Sequence, residues 1–363
     1  MEESVPYGLL QLQESFKDDI EYKASNCLSY SRIKDVYDNP EVLIQEQKHE
    51  EKEYFNFGSV VDIMLTEPES VDSKILVNDL KPSEQFLKIS TYILDNGLGA
   101  DLNNLTNDQI EDIYNITGSS VNWKVDTKKQ KLLAECSEYI KIFEDNRDKL
   151  IISSSMYTEA YNIAEVLRNH PWSKHLFISK DEQKQNNVEI IYQFKIKFDL
   201  EGMNFKSKID IIYIDHNNKI ISPWDIKTGS DYPRNFVKTA LYKYKYGYQG
   251  VIYKEGLTKI IDKLPSFDFY TVDLFRFLYI SRLVPKYPII AKMSETCHRE
   301  FHEWGIQDGY WDIPALLDVL EAAEIYLRQF DLGETNIAPL DLQKCNGEIM
   351  VHATITKNKN LVY

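Results

Sequence analysis

The chain has 363 residues, 43% of them hydrophobic and 12% aromatic, enough for a large core in one elaborated domain or two closely joined ones. No run reaches the roughly 18 apolar residues of a membrane span, and no basic-then-apolar leader opens the chain, so a cytoplasmic protein is expected. The net charge of −15 argues against a nucleic-acid partner only until its distribution is read. Residues 1–120 hold 24 acids and 9 bases, residues 121–363 hold 33 of each, and residues 231–292 hold 11 bases against 5 acids. A local basic groove therefore survives the global acidity, beside the plainer alternative of a solvated helix face.

Along the chain, "SNCLSYSRIKDVYDNPEVLIQEQ" (25–47) predicts a helix near 29–37, a proline break and a second helical stretch. "FNFGSVVDIMLTEPES" (55–70) predicts a helix stopped by Pro68, with Gly58 and Asp62 four apart and so on one face. Residues 82–150 are polar and helix-forming with a loop near 117–120, the pattern of a helical insertion, and a long helix follows from about 153 to 168. Cys27, Cys136, Cys297 and Cys345 lie too far apart for a zinc ribbon or a clustered iron–sulfur site and read as buried thiols.

From Val188 the period changes to two: Val188, Ile190, Tyr192, Phe194, Ile196, Phe198 and Leu200 alternate with mostly polar residues headed by Glu189. "EGMN" and "DHNN" are turns, so 188–200, 205–214 and 219–227 form an antiparallel meander. Lys206, Lys208 and Asp210 then share a face of the middle strand, and Asp225 and Lys227 share a face of the next. Pro223 removes a backbone donor, which predicts a bulge there or a strand beginning only near Trp224. Residues 231–256 read as one helix carrying Gln249 and Tyr253 on one face, 275–282 as a last strand, and 314–330 as a closing helix.

Asp-x-Lys by itself is commonplace; it recurs at Asp79–Lys81 and Asp126–Lys128. Its setting is what matters. Phosphodiester hydrolysis calls for a divalent cation to polarise the phosphoryl oxygen and acidify water. Magnesium takes hard oxygen ligands, which Asp210, Asp225 and the Ile226 carbonyl supply, while Lys227 emerges beside them.

In order and spacing, "LSYSRIKDVYDNPEVL", "FGSVVDIMLTEP", "NHPWSKHLF", "VEIIYQFKIKF", "KSKIDIIYI", "DIKTG" and "YGYQGVIY" resemble the PD-(D/E)xK nuclease superfamily. Within it they resemble the RecB-type branch and its phage and prophage RecE-like exonucleases, over about residues 25–330. The resemblance implies an α/β restriction-endonuclease-like core of helix, three-strand antiparallel meander, helix and strand. A nuclease domain would span 55–330, between an N-terminal helical segment (1–54) and a tail (331–363). It implies Asp210, Asp225 and Lys227 as the catalytic core, with Glu189, Gln249 and Tyr253 as further active-site residues. Asp62 would join Asp210, Asp225 and Ile226 as a metal ligand, although the family's first helix usually has histidine there. Lys208 matches a basic family position, and with Lys238 and Lys245 it is expected to contact DNA.

The implied activity is Mg2+-dependent exonuclease action, with Mn2+ as a substitute, running 5′ to 3′ on linear duplex ends. Implied partners are DNA, further copies of the chain in a ring, and a single-strand annealing protein, with no membrane, in a bacterial or phage-infected cytoplasm. The alternatives are a structure-specific or single-strand nuclease of the same fold and a catalytically silent DNA-binding protein. The intact Asp210, Asp225 and Lys227 set weighs against the silent protein.

Overall fold

The computed structural model describes residues 15–45, 53–119, 122–307, 312–335, 337–340 and 343. The first 14 residues of the expected N-terminal segment and most of the expected tail lie outside that range. The fold is mixed α/β. Its contacts define two compact units, Lys52–Ala164 and the remainder of the chain. Two short helices, α1 (Asp19–Ala24) and α2 (Tyr30–Ile33), precede the first boundary.

The Lys52–Ala164 unit begins with α3 (Glu53–Thr66), α4 (Val71–Lys74) and β1 (Ile75–Val77). It continues through α5 (Glu84–Asp95), α6 (Asn107–Ile116), α7 (Val125–Asp145) and β2 (Leu150–Ile152), which pairs parallel with β1. Phe86, Ile89 and Ile93 recur at helical spacing on α5 and pack with Ile113 of α6 and Cys136 and Ile140 of α7. A capping box between Thr106 and Gln109 starts α6, and Gly118 at φ 65° turns the chain after it. The boundary at 164 falls within α8 (Ser154–Asn169).

The other unit resumes with α9 (Lys180–Asn186) and a sheet ordered β3 (Val188–Leu200), β4 (Met203–Asp215), β5 (Ile220–Gly229), β7 (Arg276–Ser281) and β8 (Pro288–Lys292). A two-residue turn with positive φ at Glu201 and Gly202 joins β3 to β4, the geometry that matches strand twist. Asp215 accepts the amides of Asn217 (2.9 Å) and Asn218 (3.0 Å) and so shapes the next turn. The parallel β5–β7 pair needs a crossover, supplied by α10 (Pro233–Lys238) and α11 (Tyr246–Ile261). Between β5 and β7, β6 (Thr271–Val272) adds a short parallel pairing to β5. After the sheet come α12 (Glu295–Arg299), a two-residue pair of β9 (Ile306–Gln307) with β10 (Asp312–Ile313), and α13 (Leu316–Asp331). Gly256 lets α11 press onto Phe198 of β3, where a Cβ would overlap the ring.

The meander matches the expected strands closely, and four local expectations change. The helix expected over 29–37 is the single turn α2. The helix expected over 231–256 is broken: α10 passes into a π-turn over Thr239–Lys243, and Lys245 adopts φ 54° before α11 begins. Thirdly, β5 runs straight through Pro223. Thr271 N–H and Asp273 N–H donate to the carbonyls of Lys219 and Ile221 on the β6 side, so odd residues of β5 face that way. Pro223 therefore turns its nitrogen to the gap between the β6 pairings at 220–221 and the β7 pairings from 224 onward, where no ladder bond is lost.

The fourth change is in the alternation itself. On β4 the main core takes Phe205 and Ile209, then Ile212 and Ile214; on β3 it takes Ile191, then Phe194, Ile196 and Phe198. The period slips at Asp210 and at Gln193, which is buried with φ 54°. Positive φ is uncommon outside glycine, and at Gln193 it re-aims β3 opposite the point where the alternation of β4 also slips. Among the described residues, no helix is long and apolar enough to cross a membrane.

Candidate active site

The β4–β5 ladder pairs Asp215 with Ile220 and continues to Ile211 with Trp224, where it stops. Continuing that register, the next opposed residues are Asp210 and Asp225. Two carboxylates thus face each other where the strands part. The Ile226 N–H, left without a backbone acceptor, donates to Asp210 Oδ2 at 2.7 Å. Amide and carbonyl of one strand residue point to the same side, so the Ile226 carbonyl also faces this opening.

Asp225 is only 3% exposed. Gln249, from the first turn of α11, donates its amide to Asp225 Oδ1 at 2.6 Å. Asp225 Oδ2 lies 2.6 Å from Lys227 Nζ but accepts no hydrogen bond of ordinary geometry. The Lys227 side chain keeps 21% of its surface, and its ammonium sits 4.5 Å from the centre of the Tyr246 ring. Burial works to lower the Lys227 pKa; the Asp225 carboxylate, with Tyr246 and Asp210, outweighs it and holds the ammonium above its ordinary value.

Tyr253, one turn beyond Gln249, is buried, and burial first, then Tyr22, Asp225 and Asp210, push its hydroxyl well above the usual range. It is a neutral donor at any working pH. Lys206 and Lys208 of β4 bond to Tyr22 and Asp19 and so bring the N-terminal helix beside the same cluster; burial, then Asp19 and Asp210, push the Tyr22 hydroxyl upward.

The structure thus brings together Asp210, Asp225, Lys227, Ile226, Gln249 and Tyr253. Lys206 and Lys208 meet the adjoining N-terminal segment: Lys206 Nζ donates to the carbonyls of Tyr22 (2.7 Å) and Ser25 (2.8 Å), and Lys208 Nζ to Asp19 at 3.2 Å. Glu189 is placed elsewhere on the sheet. It opposes Ile214, four residues along β4 from Asp210 or about 13 Å at strand rise, and lies 3.4 Å from His216. Lys245 reaches Asp38 (2.8 Å) and the Lys34 carbonyl (3.1 Å), while Lys238 is exposed in the last turn of α10. Asp62 is half-buried on α3 in the Lys52–Ala164 unit. Among the described residues, no three His, Cys, Asp or Glu side chains are grouped closely enough to hold a metal ion.

Three residues at the cluster carry no motif. Gln193 occupies the β3 position opposite Asp210, and Tyr22 arrives from nearly two hundred residues upstream. Tyr246 had a legible signal, since it stands three residues before Gln249 and seven before Tyr253, on the same stripe of α11.

No family model matches this chain, and no curated protein sequence matches it. Among solved structures, a crystal structure from Eubacterium rectale, of a protein provisionally named an exonuclease, is similar over 95% of this chain and 96% of its own. The identity is 13% and the TM-score 0.45. A likeness of that degree assigns neither a family nor an activity to this chain.

Proposed function

We propose that this protein is a metal-dependent deoxyribonuclease with a restriction-endonuclease-like core, acting as a 5′-to-3′ exonuclease on linear duplex ends. The observation that carries the reading is the opposed pair Asp210 and Asp225 at the parting of β4 and β5, with the Lys227 ammonium beside it. The resemblance of "KSKIDIIYI", "DIKTG" and "YGYQGVIY" to PD-(D/E)xK nucleases supports the same reading from the sequence. It further implies a ring of identical subunits and a single-strand annealing partner.

The donor set fits a hard divalent cation. Two carboxylates and a carbonyl are the oxygens magnesium prefers, water and phosphate completing the shell, and Asp225 Oδ2 is buried without an ordinary hydrogen-bond donor. Asp210, Asp225 and the Ile226 carbonyl would hold the ion, Mg2+ or Mn2+, which supplies Lewis acidity and a water of lowered pKa. The chain's own groups do the rest. Lys227 presents a fixed positive charge to a non-bridging phosphate oxygen, and that contact strengthens as negative charge accumulates in the transition state. Gln249 fixes the rotamer of Asp225, and the Tyr246 ring steadies the Lys227 stem. Tyr253, its hydroxyl held well above the usual range, remains a hydrogen-bond donor.

The test is digestion of linear duplex, nicked circle and single strands, each end labelled in turn, with and without magnesium. Mononucleotide release from 5′ ends of linear duplex, abolished by chelation, is the expected result. Absence of cutting on every substrate in both magnesium and manganese would overturn the reading.

A further inference from the structure

Register pairs Lys195 of β3 directly with Lys208 of β4. Like charges opposed across a ladder repel, and these two side chains keep only 12% and 27% of their surface, so an anion between them is required to make the arrangement favourable. That anion is a side chain of the same protein. Asp19 places Oδ1 3.5 Å from Lys195 Nζ and Oδ2 3.2 Å from Lys208 Nζ. Lys208 is two residues from Asp210 on β4, so the two lie on one face about 7 Å apart. The lysine pair therefore borders the candidate active site.

The hold on Asp19 is of a kind that a competing anion can break. Helix α1 has six residues and none of them is buried. Its backbone is held on both sides, by Ser15 N–H on the Lys195 carbonyl and by Leu28 bonded to Asn204 and Lys206, and the Tyr22 ring packs on Phe16; the Asp19 side chain, by contrast, is held by the lysine pair through charge. Asp19 itself is 45% exposed, and its Oδ1 is inaccessible yet accepts no hydrogen bond. A carboxylate in that position has the single negative charge and the two acceptor oxygens of a phosphate diester.

We propose that Lys195 and Lys208 form a subsite for a backbone phosphate of the nucleic acid, and that Asp19 occupies it as an internal stand-in which the substrate displaces. This rests on the nuclease reading above. It adds a binding residue, Lys195, and makes α1 a competitor of the substrate. While Asp19 is seated, only part of the population can accept a phosphate, and apparent affinity falls by that fraction.

The experiment measures binding of a short fluorescent duplex in calcium, across a salt series, for wild type, Asp19→Asn, Lys195→Met and Lys208→Met. Asp19→Asn is expected to bind about three- to tenfold more tightly, since the internal competitor is gone. Each lysine variant is expected to bind more weakly and to lower the slope of log affinity against log salt by about one. As a second readout, inorganic phosphate should raise the melting temperature of Asp19→Asn more than that of wild type, because the vacated site binds the added ion. Unchanged affinity and slope in both lysine variants overturns the subsite. Equal or weaker binding by folded Asp19→Asn, with no added response to phosphate, reduces Asp19 to a structural staple and overturns the stand-in. Cleavage in magnesium is scored separately. Cutting with unaltered binding discards the subsite alone, whereas the expected binding changes without cutting discard the nuclease reading and keep the phosphate site. A wild-type protein that does not bind the duplex discards both.

Discussion

Asp126–Lys128 and Asp225–Lys227 repeat one spacing in two backbones, and the backbone decides what each pair becomes. Residues two apart on a helix point to different sides, so on α7 Asp126 stays exposed while Lys128 turns inward to Glu111 and to the Tyr114 ring, 5.5 Å from its ammonium. On β5 the same spacing sets both groups on one face, 2.6 Å apart. Lys128 is fully buried and Lys227 is not. Depth of burial thus does not single out Lys227. A second acid opposite the first does, and of these two pairs Asp225–Lys227 has one, in Asp210 of β4.

The largest expected effect is on that acid pair. Asp225→Asn should fold normally, because the amide keeps its volume and an oxygen for Gln249, yet lose detectable cleavage with the loss of a negative ligand. Full cutting by a folded Asp225→Asn protein would erase the distinction between the two Asp-x-Lys sites. Lys227→Ala should bind duplex ends in calcium as wild type does and cut about 10²- to 10³-fold more slowly in single turnovers. The Lys227 pKa is raised above its ordinary 10.5, so the ammonium persists through neutral and mildly alkaline pH. The wild-type rate should accordingly show no fall from loss of this proton below about pH 10. A near-normal rate in Lys227→Ala would leave a salt bridge of the kind worth roughly 0–1 kcal/mol.

Gln249→Leu sharpens the comparison from the helix side. It frees Asp225 Oδ1 from its donor, and cutting should drop about 10- to 100-fold, partly restored by more magnesium or manganese. A loss that no metal concentration restores would point to packing of α11 instead. Lys128→Ala should do the reverse of Lys227→Ala: denaturant melts should show a loss of about 1–3 kcal/mol from the emptied volume, with cleavage per folded molecule unchanged. Asp126→Ala, on an exposed helix turn, should alter neither melting nor cutting, and a measurable effect on cutting would show that α7 takes part in the reaction.

Local chemistry made much of the meander readable. Turn residues at 201–202 and 215–218 and a period of two placed β3, β4 and β5 within a few residues of their observed ends. The same reasoning failed at Gln193 and Asp210, where both strands slip together; a slip matched on two strands leaves each one's composition ordinary. It failed again at 239–245, where helix-forming residues run on but the backbone turns through a π-turn and a left-handed Lys245. Glu189 heads β3 where the sequence resemblance implied an active-site acid, and its observed partner His216 comes from the turn after β4.

Strand identity, turn position and the closeness of Asp225 to Lys227 follow from the sequence itself, because each depends on sterics acting over two to four residues. The rest of the site depends on contacts that skip far along the chain. Ile226 meets Asp210 across 16 residues, Gln249 meets Asp225 across 24, and Asp19 meets Lys208 across 189. Nothing in local propensity selects those pairings. They arise when the β4–β5 ladder ends at Ile211 and Trp224, when glycines let α11 settle onto the sheet, and when α1 finds two opposed lysines whose repulsion only an anion relieves. Those events minimise the free energy of the whole packed chain, and so only the tertiary structure decides them.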